Sequence, residues 1–330
     1  MYYSAFHAED LSKYHFLVTG GAGFIGSHLI EYLLQHKAGK VRVLDDLSTG
    51  FQQNLSAFTS NPAFEFMNGS ICDLQSCQIA CQNINFVLHE AALGSVPRSI
   101  KDPVTTNMVN IDGFLNMLVA AKDNKVKRFL YAASSSVYGD SQELPKVESR
   151  IGKPLSPYAV TKLVNELYAE VFAKTYTFPV IGLRYFNVFG PRQSPKGAYA
   201  AVIPLFIQAL MENKQPTVYG DGEQTRDFTF VANVVQANIK ALFSPANSTN
   251  QVYNIAVGES TSLNQLFYFL QKLSESSVIP QYVQERSGDI RNSLADISKA
   301  QTLLGYNPAI KLEEGLRITF DWFTKAVNGN

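Results

Sequence analysis

The stretch Thr19-Gly20-Gly21-Ala22-Gly23-Phe24-Ile25-Gly26 decides the fold class of this chain. It follows a short apolar run at residues 16–19 and precedes a helical pattern over about residues 25–36. Glycine permits the tight turn between a strand and a helix, and it lets the backbone approach a bound group closely. The amino terminus of the helix offers unpaired N–H groups and a partial positive charge to a phosphate. A glycine loop without a ligand is the alternative, but the strand, the helix and an acid farther along favour a dinucleotide site.

The same alternation of strand and helix continues outward from the glycine turn. Helical patterns such as 106–123 and 157–176 separate apolar runs of strand length, which lie at 41–45, 64–67, 86–89, 129–133 and 180–184. Strands that alternate with helices require right-handed crossovers and a parallel sheet covered on both faces. We therefore predict an α/β fold, a Rossmann-type doubly wound parallel sheet with a smaller mixed α/β lobe at the carboxy-terminal end.

The rhythm of the chain loosens after about Gly190, where short elements, prolines and turns replace the regular alternation. We expect a dinucleotide-binding domain over residues 1–188, with a return segment near 228–256. Residues 189–330 are expected to form mainly a substrate-binding lobe over the carboxyl edge of the sheet, where open α/β folds bind their ligands.

Acidic residues follow two of the predicted strands. Asp45 ends the second strand, about twenty residues past the glycines, where a carboxylate accepts hydrogen bonds from a ribose diol and repels a 2′-phosphate. We therefore predict NAD rather than NADP. Asp46 either shares this role or caps the turn before Leu47-Ser48-Thr49-Gly50. Asp73 either meets the adenine amino group or caps a helix.

A tyrosine and a lysine lie four residues apart near the start of the helix predicted at 157–176. The i, i+4 spacing of Tyr158 and Lys162 places both side chains on one helix face. An exposed tyrosine has a pKa of about 10, so a neighbouring ammonium and a nicotinamide cation are needed to favour its phenolate at neutral pH. The run Ser134-Ser135-Ser136 ends a predicted strand, and Ser134 above all is expected to face the cofactor. Plain turn chemistry is the alternative for these serines.

Composition narrows the functional classes. Lys+Arg and Asp+Glu number 28 each, so the net charge of zero gives no electrostatic signature of nucleic-acid or membrane binding. No stretch approaches the ~18 apolar residues of a membrane span, and the first fifteen residues do not resemble a signal peptide. The three cysteines form neither a disulfide framework nor a metal motif, which favours buried or idle thiols in a reducing cytoplasm and no metal site.

With these motifs in place, the chain resembles the extended short-chain dehydrogenases/reductases and, within them, the nucleotide-sugar 4-epimerases. The likeness covers nearly the whole chain and is strongest to bacterial UDP-N-acetylglucosamine 4-epimerases of O-antigen, lipopolysaccharide and capsule pathways. The segments that carry it are HEAALGSVPRSI (89–100), AASSSVYGD (132–140), KPLSPYAVTK (153–162), LRYFNVFGPRQ (183–193), GDGEQTRDF (220–228) and SLADISKA (293–300).

The resemblance implies a redox-neutral reaction at C4 of the sugar. Tyr158 removes the proton of O4, Ser134 hydrogen-bonds that oxygen, and the hydride of C4 passes to NAD and returns to the other face of a 4-keto sugar. Lys162 binds the nicotinamide ribose and keeps Tyr158 ionised. The implied substrates are UDP-GlcNAc and UDP-GalNAc, with the 6-carboxylate sugars as a further class.

Further positions carry over from the family residue by residue. The matching cofactor contacts are Gly20, Gly23, Phe24, Ile25, Gly26, Asp45, Asp46, Ser48, Thr49, Gly50, Asp73, Ala91, Asn110, Tyr158, Lys162 and Tyr185. The matching substrate contacts are Gly94, Ser95, Ser134, Ser135, Ser136, Tyr158, Asn187, Gln193, Ala201, Val202, Tyr219, Arg226, Arg286, Asp289 and Ser293.

Three of these substrate positions have a specific expected role. Arg226 and Arg286 are the expected diphosphate clamps, because a guanidinium pairs with phosphate oxygens in a planar fork; surface ion pairs are the alternative. Ser293 stands where enzymes confined to glucose and galactose carry a bulky aromatic, so it leaves room for a 2-acetamido group.

Two positions depart from the family pattern. Asp46 stands where Asn is more common, and Glu90 fills a slot usually held by Gln or an apolar residue, which puts an extra acid near the cofactor. His89 beside it is interpreted as a satisfied core histidine rather than a base.

Two rival functions remain open. A 4,6-dehydratase or decarboxylase on the same fold usually carries an Asp-Glu pair where Ser135 and Ser136 stand. An NAD-binding scaffold without activity usually lacks the Tyr or the Lys. The resemblance also implies a homodimer, built by an intermolecular bundle of the helices from Thr106 and Pro157.

Overall fold

The computed structural model describes residues 1–2, 4–195, 201–285 and 291–328. Its strands are β1 (His15–Thr19), β2 (Lys40–Asp45), β3 (Phe64–Asn68), β4 (Phe86–His89), β5 (Arg128–Ser134), β6 (Val180–Tyr185), β7 (Val188–Phe189), β8 (Thr217–Tyr219), β9 (Thr225–Arg226), β10 (Thr229–Phe230), β11 (Gln251–Ile255), β12 (Thr261–Ser262) and β13 (Gln281–Val283). Its α-helices are α1 (Phe24–Gln35), α2 (Leu74–Cys81), α3 (Val96–Lys101), α4 (Pro103–Asn107), α5 (Gly113–Asp123), α6 (Pro157–Tyr176), α7 (Val202–Met211), α8 (Val231–Phe243), α9 (Leu263–Ser274), α10 (Ser298–Leu304) and α11 (Leu312–Asn328).

The centre of the fold is a seven-stranded parallel sheet in the order β3-β2-β1-β4-β5-β6-β11. Every position of β4 and of β6 is buried, as expected for strands with helices on both faces. Phe114 of α5 and Phe172 of α6 pack on one face, and Leu29 of α1 and Val235 of α8 pack on the other. This arrangement confirms the Rossmann-type doubly wound α/β fold.

The helix predicted over 106–123 is divided into three segments in the structure. A π-helical segment, Met108–Asp112, lies between α4 and α5. The side chain of Asn110 in this segment accepts a hydrogen bond from the Leu93 backbone N–H (2.8 Å) and donates one to the Leu93 carbonyl (3.2 Å). These contacts with a residue distant in sequence accompany the departure from regular α-helical pairing.

Short strand pairs build the lobe beside the carboxyl edge of the sheet. β8 pairs with β13, β9 with β12, and β7 with β10. Asp227, fully buried between β9 and β10, accepts backbone hydrogen bonds from Val257, Gly258 and Ala295 (3.0–3.2 Å). One carboxyl group thereby fastens the segment after β11 and the segment around Ala295 to this lobe.

The amino-terminal segment packs against α1. Tyr2 is fully buried and its hydroxyl donates to Nδ1 of His28, because His28 Nε2 must donate to the Pro191 carbonyl, 2.9 Å away. Burial lowers the pKa of His28 to about 3, so its ring is neutral. Nothing in the sequence pattern of these first residues predicts that they are anchored. Across the described residues, no helix combines the length and the apolar character needed to cross a membrane.

Candidate active site

The glycine turn joins β1 to α1 and leaves the amino terminus of α1 open. Gly20 has φ +67°, a left-handed conformation that suits glycine, and a Cβ at Gly26 would lie 2.4 Å from the Gly20 carbonyl oxygen. Gly23 is the N-cap residue, and in the described structure no side chain caps the helix there. The free N–H groups of the first turn therefore face a cavity and suit a phosphate.

The carboxylate of Asp45 lies at the end of β2, next to this turn. One oxygen accepts the Ala22 N–H (2.9 Å) and the other accepts the Leu47 N–H (2.8 Å). Burial raises the pKa of Asp45, and these hydrogen bonds oppose the shift. Because each carboxylate oxygen has a second acceptor site, Asp45 can still accept hydrogen bonds from a ribose diol.

The Tyr-x-x-x-Lys pair lies where β5 ends and α6 begins. Ser156 caps α6 by accepting the Ala159 N–H (3.2 Å), and Pro157 takes the first helical position, which its fixed φ favours. Lys162 Nζ donates to the Ala132 carbonyl of β5 (2.7 Å) and lies 5.9 Å from the centre of the Tyr158 ring. The sheet and the helix cap thus fix both side chains in one place.

Burial disfavours the charged forms of Tyr158 and Lys162. It raises the pKa of Tyr158, and a hydrogen bond with Ser134 opposes that shift. Burial also lowers the pKa of Lys162 to about 8, although the negative charges of Glu90 and Glu166 act to raise it. The sequence pattern shows the neighbouring lysine but not this desolvation of the phenol. The expected effect of a nicotinamide cation on the pKa of Tyr158 stays a prediction.

Two adjoining cavities lie at this edge of the sheet. The first, of about 530 Å³, runs from the glycine turn past Tyr158 to Asn187 and Gln193. The second, of about 440 Å³, also begins at Asn187 and is lined by Tyr219 and Arg226 of the lobe. Both cavities include Asn187 in their walls, so they adjoin and form one extended site.

The NAD dependent epimerase/dehydratase family matches residues 16–256. This chain belongs to that family. Among solved structures, a UDP-N-acetylglucosamine 4-epimerase from Methanobrevibacter ruminantium, in complex with UDP-N-acetylmuramic acid, is 40% identical with a TM-score of 0.90, covering 95% of this chain and 99% of its own.

Two further epimerase structures are nearly as similar. A UDP-glucose 4-epimerase from Thermotoga maritima with UDP-glucose is 36% identical (TM-score 0.89; 95% of this chain and 99% of its own covered). A UDP-glucuronic acid 4-epimerase from Bacillus cereus, bound to UDP-glucuronic acid and NAD, is 34% identical (TM-score 0.88; 94% and 99% covered). These similar members of the family therefore differ in the UDP-sugar that is bound in their structures.

NAD is the cofactor of this epimerase/dehydratase family member, as the sequence predicted, and the cavity fits it. The uncapped amino terminus of α1 suits the pyrophosphate, Asp45 suits a ribose diol, and Lys162 lies at the far end of the same cavity. The predicted cofactor residues that line this cavity are Gly20, Gly23, Phe24, Ile25, Gly26, Asp45, Asp46, Ser48, Thr49, Gly50, Ala91, Tyr158, Lys162 and Tyr185.

The predicted substrate residues divide between the two cavities. Gly94, Ser95, Ser134, Tyr158, Asn187 and Gln193 line the first. Asn187, Val202, Tyr219 and Arg226 line the second. Arg226, half-buried, also donates to the Thr225 carbonyl (2.8 Å). Arg286 and Asp289 lie outside the described residues.

Two predicted cofactor residues, Asp73 and Asn110, do not line the cavity. Asp73 is exposed and caps α2, accepting the N–H groups of Gln75 (3.2 Å) and Ser76 (3.1 Å), so the capping alternative describes it. Asn110 is buried behind the wall, where it holds Leu93 and donates to Thr161 Oγ1 (3.1 Å). The structure therefore makes Asn110 a support of the cavity wall.

Four predicted substrate residues stand beside the cavities without lining them. Ser135 and Ser136 form a 3₁₀ turn after β5, in which Ser134 Oγ accepts the Ser136 N–H (3.1 Å). Ala201 is the exposed N-cap residue of α7. Ser293 is half-buried, and its N–H donates to the Thr225 carbonyl (3.2 Å).

Several residues of the two cavity walls were not predicted from the sequence. Gln224 lines the second cavity, and its Oε1 is a buried acceptor without a partner among the described residues; the same holds for Gln193 Oε1 in the first cavity. Gln224 lies in the segment GDGEQTRDF (220–228), so the family resemblance of that segment could have indicated it as a site residue. Leu93 and Val109 also line the first cavity, but apolar side chains carry no chemical signal in a sequence.

Proposed function

We propose that this protein is a UDP-sugar 4-epimerase that interconverts UDP-GlcNAc and UDP-GalNAc, with the uronic-acid forms as a second substrate class. One observation carries the proposal: Ser134, Tyr158 and Lys162 line the same cavity as the open amino terminus of α1. That cavity adjoins the second one at Asn187, and the second offers a guanidinium, Arg226, to a diphosphate.

Bound NAD supplies a reversible hydride acceptor for C4 of the sugar. Tyr158 accepts the proton of the sugar O4 and later returns it, with Ser134 hydrogen-bonded to the same oxygen. Lys162 places a positive charge on one helix face with Tyr158, which favours the phenolate against the opposing effect of burial. Gly94 leaves open space at the cavity wall, since a Cβ there would meet no atom within 4 Å.

The acetamido preference rests on sequence and on one relative. Ser293 is small where glucose-specific members of the resembling family carry an aromatic. The epimerase of Methanobrevibacter ruminantium named for UDP-N-acetylglucosamine is 40% identical to this chain. Relatives named for UDP-glucose and UDP-glucuronic acid at 36% and 34% identity define the competing substrates.

The two rival functions lack a supporting feature. Dehydration at C5 and C6 needs an added acid beside the hydride site, whereas Ser135 and Ser136 occupy the positions after Ser134. An inactive scaffold has no use for a half-buried Tyr158 next to a buried Lys162, because each loses solvation of its charged form.

Proton NMR of the products from UDP-Glc, UDP-GlcNAc, UDP-GlcA and UDP-GlcNAcA tests this function. We expect the 4-epimer of UDP-GlcNAc to form fastest. The matched variant Tyr158→Phe should lower turnover by roughly 10²–10⁴-fold, the usual contribution of a positioned acid–base group, while NAD stays bound. A 4-keto-6-deoxy product would instead establish a dehydratase.

A further inference from the structure

An acid that the proposed reaction does not use lies beside Lys162. Glu90 follows β4 directly and lines the first cavity. The β4–β5 register pairs His89 with Tyr131, so Glu90 and Ala132 are the next neighbours on strands about 4.8 Å apart. Ala132 is the residue whose carbonyl accepts the Lys162 ammonium. Glu90 therefore lies beside the strand residue that holds the Lys162 ammonium, and Glu90 and Lys162 line the same cavity.

A hydrogen-bond chain fixes Glu90 as an acceptor. Asn238 Nδ2 donates to the Val234 carbonyl (2.9 Å), which identifies this atom as the amide nitrogen, and it also donates to the Tyr185 hydroxyl (2.8 Å). Since the Tyr185 oxygen accepts from Asn238, its own proton points to Glu90 Oε1 (2.7 Å). A hydrogen bond donated to a carboxylate favours the ionised form.

The other acid near Lys162 already has a partner. Glu166, one turn farther along α6, accepts from Arg184 Nε (2.8 Å) and Nη2 (2.7 Å) in a bidentate ion pair. His89 stays neutral, because burial and the Lys162 charge lower its pKa to about 3. The titratable and charged groups around Lys162, from β4, β6 and its own helix, are His89, Glu90, Tyr158, Glu166, Arg184 and Tyr185.

We propose that Glu90 is a positioning residue whose carboxylate keeps Lys162 protonated, so that the ammonium remains available to Tyr158. The proposal rests on the proposed function, because that function requires a charged Lys162. Burial lowers the pKa of Lys162 to about 8 against the charge of Glu90. Burial raises the pKa of Glu90 to about 7, although the Tyr185 hydrogen bond and the Lys162 charge act to lower it. Each charge favours the other, so the two groups titrate as a pair.

An NMR titration of the NAD-loaded protein tests this coupling without any turnover. Lysines carry ¹³C at Cε, and the Lys162 signal is the one that disappears in Lys162→Arg. In Glu90→Gln, which keeps the side-chain shape, the pKa of Lys162 should fall by one unit or more. The matched control is Glu143→Gln, since Glu143 is exposed and pairs with Arg150 at the surface; it should leave Lys162 unchanged. An unchanged Lys162 pKa in Glu90→Gln overturns the proposal.

Reciprocity supplies a second measurement, which also decides the matter if Glu90→Gln fails to fold. In Lys162→Met, the pKa of Glu90, followed through ¹³C-labelled glutamate, should rise; a pKa that stays in place overturns the coupling. In turnover assays, the alkaline limb of the pH profile of kcat should move about one pH unit lower in Glu90→Gln. In Glu90→Asp it should return to its wild-type position. If no UDP-sugar is epimerised at all, the proposed function fails, while the titration still decides the Glu90–Lys162 coupling.

Discussion

Tyr158 lies between a hydrogen-bonding serine and a buried ammonium, and its surroundings act on its pKa in opposite directions. Burial raises the pKa, and the Ser134 hydrogen bond lowers it. Bringing a phenol from about 10 to neutrality requires roughly 4 kcal/mol of preference for the phenolate. On this account burial and the Ser134 hydrogen bond do not supply that preference. The positive charges of Lys162 and of bound NAD are needed for it.

Ser293 determines which sugar fits, on the acetamido hypothesis. Ser293→Tyr should lower kcat/KM for UDP-GlcNAc about 10- to 100-fold, because overpacking costs about 1–3 kcal/mol, while UDP-Glc turnover changes little. Steady-state kinetics with both substrates measures this. Ser293→Ala, the control, should keep both activities. An equal loss for both sugars in Ser293→Tyr would show that the substitution damages the fold rather than the acetamido space.

Residue type and spacing predicted where the site lies better than they predicted which group each polar side chain binds. Tyr158 and Lys162 share a helix face, which the i, i+4 spacing indicates without a structure. Asn110 and Asp73 match family positions equally well, yet their polar atoms serve the Leu93 backbone and the cap of α2. Such local engagement depends on tertiary contacts that a pattern does not contain.

Helix α1 places its open amino terminus at the cavity because Gly20 and Gly26 touch. In Gly26→Ala, the new Cβ would lie 2.4 Å from the Gly20 carbonyl oxygen, so the turn must open. We expect purified Gly26→Ala to retain less than a tenth of the NAD of the wild type, measured by chromatography after denaturation. Ser27→Ala, a small change one residue farther along α1, should retain it. Full NAD content in Gly26→Ala would contradict the phosphate site.

Local signals determine which elements the sequence reveals. The helix at 157–176 was predicted with the bounds of α6, since Ser156 and Pro157 mark its start within the sequence itself. The π-helical segment in 106–123 makes hydrogen bonds with Leu93, and the pairing of β8 with β13 joins distant segments. These features involve contacts between segments distant in sequence, which the hydrophobic periodicity of the sequence does not predict.

The whole molecule presents an apolar stripe on α6. Val160, Leu167 and Val171 recur at helical spacing and are 47%, 53% and 54% exposed. We propose that this stripe forms the homodimer interface that the family resemblance implies. Leu167→Glu should halve the mass measured by light scattering. A two-fold interface contains the same residue from both subunits, so the substitution buries two new charges there. Ile279→Glu, at an exposed residue elsewhere, is the control. An unchanged dimer in Leu167→Glu, or a monomeric wild type, would contradict this interface.

The division of the chain between sheet and lobe also concerns the whole molecule. We propose the boundary at 188/189 with the return segment near 228–256; its support is that α8 packs on α1 and β11 is the seventh strand of the central sheet. The extended site at Asn187 lies where the two parts meet.

The central claim is that hydride leaves C4 of a UDP-sugar and returns to the same carbon within one site. The most direct measurement uses UDP-GlcNAc carrying deuterium at C4, with the product examined by NMR in ordinary water. The account predicts UDP-GalNAc that retains deuterium at C4. Product with a solvent proton at C4, or no C4-inverted product from any UDP-sugar offered, would contradict it.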